Sequence, residues 1–328
     1  MIKKLLYKNP IKFCISFFII GIIVGFTISV IAESINSDEV LYDNSNSSSN
    51  SDNVQDAIDG LYNIVDKVGS GYALVANNTT GLSTELVAGL YRYQGVQDAN
   101  NNTVDNYICF GTTNKSDCVG DTDKYMYRII GINTSGQMKL IKKEALNTAY
   151  KWNSTGGVEW AHSDLYIGIN GSYFLTNIDY IPDSTWESRI ATTSWHYGDI
   201  TDNNISAIEM YNTEIGFSNI VSAKIGLMYL HDYYYGLNGG NNCSGSAAYS
   251  TCRTSWLHIS NNDSAAPSSF EWIIIRYPNP SAYIISSTGY ASWVNMPNNH
   301  SVRPVFFLNS NQRITSGNGT ITDPYILS

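Results

Sequence analysis

Four cysteines fall into two Cys-x8-Cys pairs, Cys109/Cys118 around FGTTNKSD and Cys243/Cys252 around SGSAAYST. Thiols at such spacing can close a disulfide loop, exchange electrons or hold a metal. Redox pairs favour Cys-x-x-Cys, and zinc sites want histidine or further cysteine alongside. Neither loop has these. A fifth, Cys14, lies in the amino-terminal apolar run as a small apolar residue; the even count outside that run, in a chain marked for export, reads as disulfides. Two local clips, 109–118 and 243–252, are the simplest of three connectivities. A redox or metal pair is the alternative at either loop.

Other chemistry is sparse. His162, His196, His231, His258 and His300 are scattered, with no H-x-x-x-H spacing. His231-Asp232 is the one close His–acid neighbour, and adjacent residues on a helix point apart, which makes a poor dyad. No G-x-S-x-G, Walker loop or Rossmann glycine pattern occurs. Glu144, Asp164, Glu187, Glu209, Asp263 and Glu271 are carboxylates that the fold would have to pair for glycosidic cleavage. Asp121, Asp123 and Asn261-Asn262-Asp263 are oxygen donors that suit calcium and equally form turns. Calcium is therefore the one cofactor these residues suggest; the alternative is none.

Binding chemistry is better represented. Residues 277–300 hold Tyr277, Asn279, Tyr283, Tyr290, Trp293, Asn295 and Asn298 among Ser, Gly and Pro. Rigid aromatic anchors among adaptable polar residues suit a recognition surface. The alternative is ordinary tyrosine-rich hairpin packing. This stretch runs into VRPVFFL, which reads as a buried strand displaying it. Pro304 lacks an amide hydrogen and belongs at that strand's edge or start. Arg303 beside the apolar run needs a carboxylate or carbonyl, as a structural ion pair before a ligand contact.

The elements that must position these residues come next. The amino terminus is basic, with Lys3, Lys4, Lys8 and Lys12, and twenty uncharged residues follow from Phe13 to Ala32. That length spans a bilayer, with the lysines on the cytoplasmic side. Val30-Ile31-Ala32 is a possible cleavage site, so residues 1–32 are a signal-anchor or a signal peptide. Either places the rest at the extracellular face of the membrane or in the medium. Residues 33–53 read as a disordered tether. Val54, Ile58, Leu61, Val65 and Val68 give residues 54–68 a two-heptad pattern. This is an oligomerising stalk helix or an amphipathic helix packed on its own domain. Residues 69–88 are a linker.

The net charge of −9 includes those amino-terminal lysines, so the remainder is more acidic still and nucleic acid is excluded as a partner. The 24 tyrosines and the low charge suggest a polar, non-ionic recognition surface. From residue 89 the texture is β: LYRYQG, NYICFGT, YMYRIIGI, QMKLIKKEAL, then TSWLHIS, FEWIIIRY, SAYIISSTGYASWV and SVRPVFFLN. TSGQ reads as a hairpin turn. Two helices interrupt the strands, DLYIGINGSYFLTN capped by Ser163 or Asp164, and VSAKIGLMYLHDYYYG. The expectation is α+β, with an antiparallel sheet and two helices over residues 89–328.

Residues 125–146, Ser163-Asp164-Leu165 with Gly171-Ser172-Tyr173-Phe174-Leu175, KIGLMYLHDY, Ser255-Trp256-Leu257 and Ser301-Val302-Arg303-Pro304-Val305 form an ordered set. The set resembles a bacterial family of uncharacterised extracytoplasmic domains, across residues 89–308. That family shows a Trp-Leu-Arg-Ser type strand and a closing Val-Arg-Pro-Ala strand; here His258 follows Trp256-Leu257. The resemblance implies a C-type-lectin or formylglycine-generating-enzyme type of fold, with a variable loop before the last core strands as binding surface. Trp256, Arg303 and Pro304 would be structural. NVQDAIDGLY resembles segments of bacterial surface and tail-fibre-like proteins, and residues 317–327 resemble the closing segment of Gram-positive surface proteins. The implied function is adhesin-like binding of a surface glycan or protein. Alternatives are an enzyme acting on cell-envelope polymers and a structural fibre tip.

Overall fold

The computed structural model describes residues 91–98, 101–102, 104–119, 124–133, 137–171, 184–237, 243, 252–310, 312 and 314–327. Contacts divide the chain into Met1–Tyr62 and Asn63–Ser328, and every described residue belongs to the second unit. The expected membrane helix, tether, stalk helix and linker lie outside the described residues.

Those residues form a mixed α+β domain of mostly antiparallel strands. In chain order the strands are β1 (Tyr91–Arg92), β2 (Gln97–Asp98), β3 (Asn101–Asn102), β4 (Tyr107–Cys109), β5 (Met126–Ile132) and β6 (Met138–Lys142). Then come β7 (Tyr150–Lys151), β8 (Thr193–Tyr197), β9 (Asn219–Ala223), β10 (Ile225–Gly226), β11 (Glu271–Arg276) and β12 (Ser281–Ile285). The last are β13 (Ala291–Asn295), β14 (Asn299–His300), β15 (Val305–Phe307), β16 (Ile314–Ser316) and β17 (Tyr325–Leu327). The largest sheet runs β10-β15-β6-β5-β4-β17-β16, with β1 also on β5. Only its β4–β17 pair is parallel. A second sheet runs β11-β12-β13. In β5 all seven residues of MYRIIGI are buried, as a near-continuous apolar run predicts for a central strand covered on both faces.

The described helices are short: α1 (Lys115–Val119), α2 (Asp164–Asn170), α3 (Ser184–Ser188), α4 (Ala207–Ile215) and α5 (Leu230–Tyr235). Ser163 caps α2, its side chain accepting from the Tyr166 amide. The second expected helix is corrected. Val221–Ala223 belong to β9, and Ile225 and Gly226 pair with Phe306 and Val305 of β15. Helix α5 begins only after Tyr229. Pairing with a central strand overrides the helical propensity of VSAKIGLMYL, since propensity is a weak prior against tertiary contacts. Gly226 lies against the Trp195 indole, where a Cβ would collide. Helix α4 was missed, although Ser206 and Glu209 spell its capping box.

Helix α5, LHDYYY, is buried on every side, which marks it as a core helix. Tyr233 donates to the Cys252 and Gly289 carbonyls, and Tyr234 to that of Asn203. Much of the tyrosine content is thus core, with the Tyr233 and Tyr234 hydroxyls bonded to carbonyls.

Both disulfides are local, Cys109–Cys118 and Cys243–Cys252, with Cα separations of 5.8 and 5.9 Å. The first ties β4 to α1. The second anchors β13, whose Ala291 amide donates to the Cys243 carbonyl at 2.7 Å. Replacing either pair by alanine should lower stability by about 2–3 kcal/mol through added unfolded-state freedom. Urea titration should show a lower midpoint, with any change in slope upward because the unfolded chain expands.

Candidate functional site

Residues 277–300 form sheet rather than an open loop. Strands β12 and β13 pair from Ser281↔Asn295 to Ile285↔Ala291. Side chains alternate, so Ser281 and Tyr283 share a face with Asn295 and Trp293. Tyr283 is buried, and its hydroxyl donates to the Ile200 carbonyl at 3.2 Å. Burial pushes that phenol beyond its ordinary range. Trp293, directly opposite, is 49% exposed. Its ring lies flat on Tyr277, with centroids 4.5 Å apart and planes 10° from parallel. Tyr277 meets Tyr283 edge-on at 5.9 Å.

Asn279 and Asn298 are exposed near the same end of the hairpin, with Asn295. The Ser281 hydroxyl donates to Asn295 Oδ1 at 3.4 Å, and the Asn298 amide to the Asn295 carbonyl. Tyr290 sits in the turn at the other end, where its amide donates to Ser286 Oγ. Strand rise puts that turn roughly 13 Å from Asn295. The fold therefore gathers Tyr277, Tyr283, Trp293 and Asn295, and leaves Tyr290 apart.

Beside this platform is a cavity of about 260 Å3 lined by Trp152, Trp160, Tyr197, Asp199, Arg276 and Glu159, among others. Arg276 immediately precedes Tyr277, which joins one wall to the platform. Gly156 and Gly157 both take φ of +74, a left-handed conformation that glycine adopts without strain. Their turn lies so close to the hairpin that a Cβ on Gly157 would be 3.1 Å from Asn279 Oδ1. Trp152 and Trp160 are 5.6 Å apart and tilted by 52°. The Trp152 indole donates to the Ile273 carbonyl at 3.2 Å. Trp160 Nε1 is buried without a hydrogen-bond partner, a donor that costs free energy until an acceptor arrives. Arg276 Nε lies 2.5 Å from Asp199 Oδ1. The Tyr197 phenol is raised by burial, and further by Glu159 and Tyr166. None of Trp152, Trp160, Tyr197, Glu159, Asp199 and Arg276 was singled out from sequence, because they come from four separated segments.

The structure also corrects the expectation for His231-Asp232. His231 Nε2 lies 3.4 Å from Asp232 Oδ1, and Nδ1 lies 2.6 Å from Glu214 Oε2. Both carboxylates cap the start of α5. Glu214 accepts from the Leu230 and His231 amides at 2.9 Å, and Asp232 Oδ2 from the Tyr229 amide at 3.1 Å. Capping draws Asp232 back toward the helix start, and so toward its neighbour. Lys139 Nζ also bonds Asp232 Oδ2, and Arg92 Nε lies 3.2 Å from Oδ1. All five charged or titratable residues are buried.

Two buried arginines hold the Trp256 segment. Arg303 donates to both Glu271 oxygens, at 2.8 and 2.7 Å, and to the Leu257 carbonyl. Pro304 directly precedes β15, and its carbonyl accepts from the Lys142 amide. His258 is buried, with Nε2 donating to the Ser286 carbonyl at 3.0 Å, and burial lowers its pKa to about 4. Arg128 lies between the rings of Tyr107 and Trp256, at 4.2 and 4.5 Å. A charge inside the apolar run YMYRIIGI was its available signal. Asn262 Oδ1 accepts from Arg128 at 3.0 Å, and Asp263 accepts from the Ala145 and Ala265 amides. Asp121 and Asp123 lie outside the described residues. Among the described residues, no group of three or more His, Cys, Asp or Glu could hold a metal.

No protein-family model matches the chain, and neither a curated protein nor a solved structure does.

Proposed function

We propose that this chain is an exported, surface-displayed binding protein that recognises carbohydrate at the Tyr277–Trp293 platform and the adjoining cavity. The half-exposed indole lying flat on a tyrosine carries this reading. A large apolar ring held open to solvent offers contact area at low entropic cost, as recognition surfaces do. A sugar ring presents a flat C–H face to such a platform and hydroxyls around its rim. The Trp160 indole, Glu159 and the Asp199–Arg276 pair supply a donor, acceptors and a charged rim for those hydroxyls. The closed disulfide at Cys243 and Cys252 favours binding over thiol chemistry. The lectin-like fold type and the adhesin-like role belong to this same proposal.

Tyr277→Ser with Trp293→Ser should weaken binding by about 2 kcal/mol, roughly thirtyfold. Full-length protein would be screened on an oligosaccharide array and titrated by tryptophan fluorescence. Because Trp293 is half-exposed, its loss alone should change unfolding little, and circular dichroism checks that the double variant, which also loses the Tyr277–Tyr283 contact, is folded. Equal binding by both proteins, or none by folded wild type, would sink the reading. Cleavage of the bound sugar would move it to the enzyme alternative, with Glu159 and Asp199 as the carboxylates.

A further inference from the structure

Lys139 lies in β6 and Asp232 in α5, 93 positions apart, and their side chains are 1% and 0% exposed. The Lys139 Nζ is enclosed by the rings of Tyr229, Phe307 and Trp195, at 4.8, 5.4 and 5.8 Å. An amine and a carboxyl from two separate elements are thus held in contact inside the core, away from water. Such fixed placement can replace a very high concentration of one reactant.

We propose that Lys139 and Asp232 condense into an intramolecular amide, joining Nζ to Cγ, once the domain has folded. The starting state is the ion pair. A proton passes from the ammonium to the carboxylate, giving an amine and a carboxylic acid. Low polarity favours this neutral pair more than water does, because buried charge is costly. Burial lowers the lysine's pKa, although Asp232 pulls the other way. Burial also raises the Asp232 carboxyl, but Lys139, His231 and Arg92 outweigh it and keep the resting carboxylate ionised.

The Nζ lone pair then attacks Cγ, and negative charge gathers on Oδ1. The Arg92 cation, with Nε 3.2 Å from that oxygen, stabilises it by its charge. His231 Nε2, 3.4 Å from Oδ1, is a proton carrier in reach of the same carboxyl. Glu214 is a positioning residue that holds its ring. A second proton leaves nitrogen, the Cγ–Oδ2 bond breaks, and Oδ2 departs as water. Nitrogen has lost two hydrogens and Oδ2 has taken both. One positive and one negative charge vanish, leaving Arg92 and Glu214 to balance. No oxidant, reductant or co-reactant is consumed.

The test is peptide mapping of reduced, alkylated full-length protein after trypsin. The expected result is near-complete conversion to one branched peptide containing Lys139 and Asp232, lighter than its two parts by one water, with Lys139 uncut. Trypsin needs a free lysine side chain, so the missed cleavage is a second readout. Lys139→Arg keeps the cation and removes the attacking amine; it should restore the unlinked Asp232 peptide. Wild type needs no substitution, so misfolding of the variant cannot excuse a negative result. Free Lys139 and Asp232 peptides from folded, disulfide-closed wild type would overturn the proposal. So would a water loss mapped elsewhere, such as a succinimide at another aspartate.

Discussion

Glu271→Ala is expected to cost about 3–5 kcal/mol, because it strands Arg303 as an unpaired buried charge. Both side chains are at most 1% exposed, and the pair is bidentate. Burial, the larger effect, pushes the Glu271 carboxyl up even against Arg303, so desolvation is substantial. The pair is therefore not a large net source of stability. Its value lies in registry: Glu271 opens β11 and Arg303 leads into β15. The contrast to measure is Glu271→Leu with Arg303→Met, which removes both charges. This double variant should recover part of the loss, limited by the Leu257 carbonyl that Arg303 now serves. Urea unfolding of the three proteins decides it. A single-variant loss under about 1 kcal/mol would show that water or another donor compensates.

Arg128→Ala should be comparably damaging, at about 3–5 kcal/mol. Its guanidinium fills the space between Tyr107 and Trp256 and donates to Asn106 at 2.8 Å, Asn262 at 3.0 Å and the Val104 carbonyl at 3.1 Å. It also reaches Gln97 and the Trp256 carbonyl. Truncation would leave several buried acceptors without a donor and open a void between two rings. Burial lowers the Arg128 pKa to about 10, so it stays charged at neutral pH. Arg128→Lys should rescue little, since an ammonium cannot stack flat or fork to these acceptors. Near-ultraviolet circular dichroism and thermal unfolding would show the loss. A lysine variant with wild-type melting would refute the role given to the guanidinium plane.

Much of the fold was legible where one physical cause dominated. β5 and β6 followed from their apolar, β-branched runs, and both disulfides from spacing. Ser163 showed as a cap, and Pro304 as the residue before a strand. Legibility failed where distant contacts decided. VSAKIGLMYL has helical periodicity, yet Ile225 and Gly226 pair with a strand some eighty positions later. The tyrosines misled in another way. A phenol serves a wet recognition surface and a core with a carbonyl in reach equally well. Composition cannot tell Trp293, which is exposed, from Tyr283 directly across the hairpin. The cavity was invisible because Trp152, Glu159, Asp199 and Arg276 meet only in three dimensions. The buried charges did leave a trace: Arg128, Lys139, Asp232 and Glu271 each interrupt an apolar or aromatic run, and each has a partner inside.

The strand order β10-β15-β6-β5-β4-β17-β16 also sets a timetable for synthesis. Strand β15 slots between β10 and β6, and β17 between β4 and β16, although each is made after both of its neighbours. Until those segments arrive, β6 and β4 each present an open row of amides and carbonyls, the feature that recruits stray strands. The sheet is completed only after long loops have closed, which is slow because their entropy is lost before their contacts form. A chain growing from its amino terminus would thus hold an incomplete sheet until β15 and β17 emerge, dependent on whatever shields it from its neighbours.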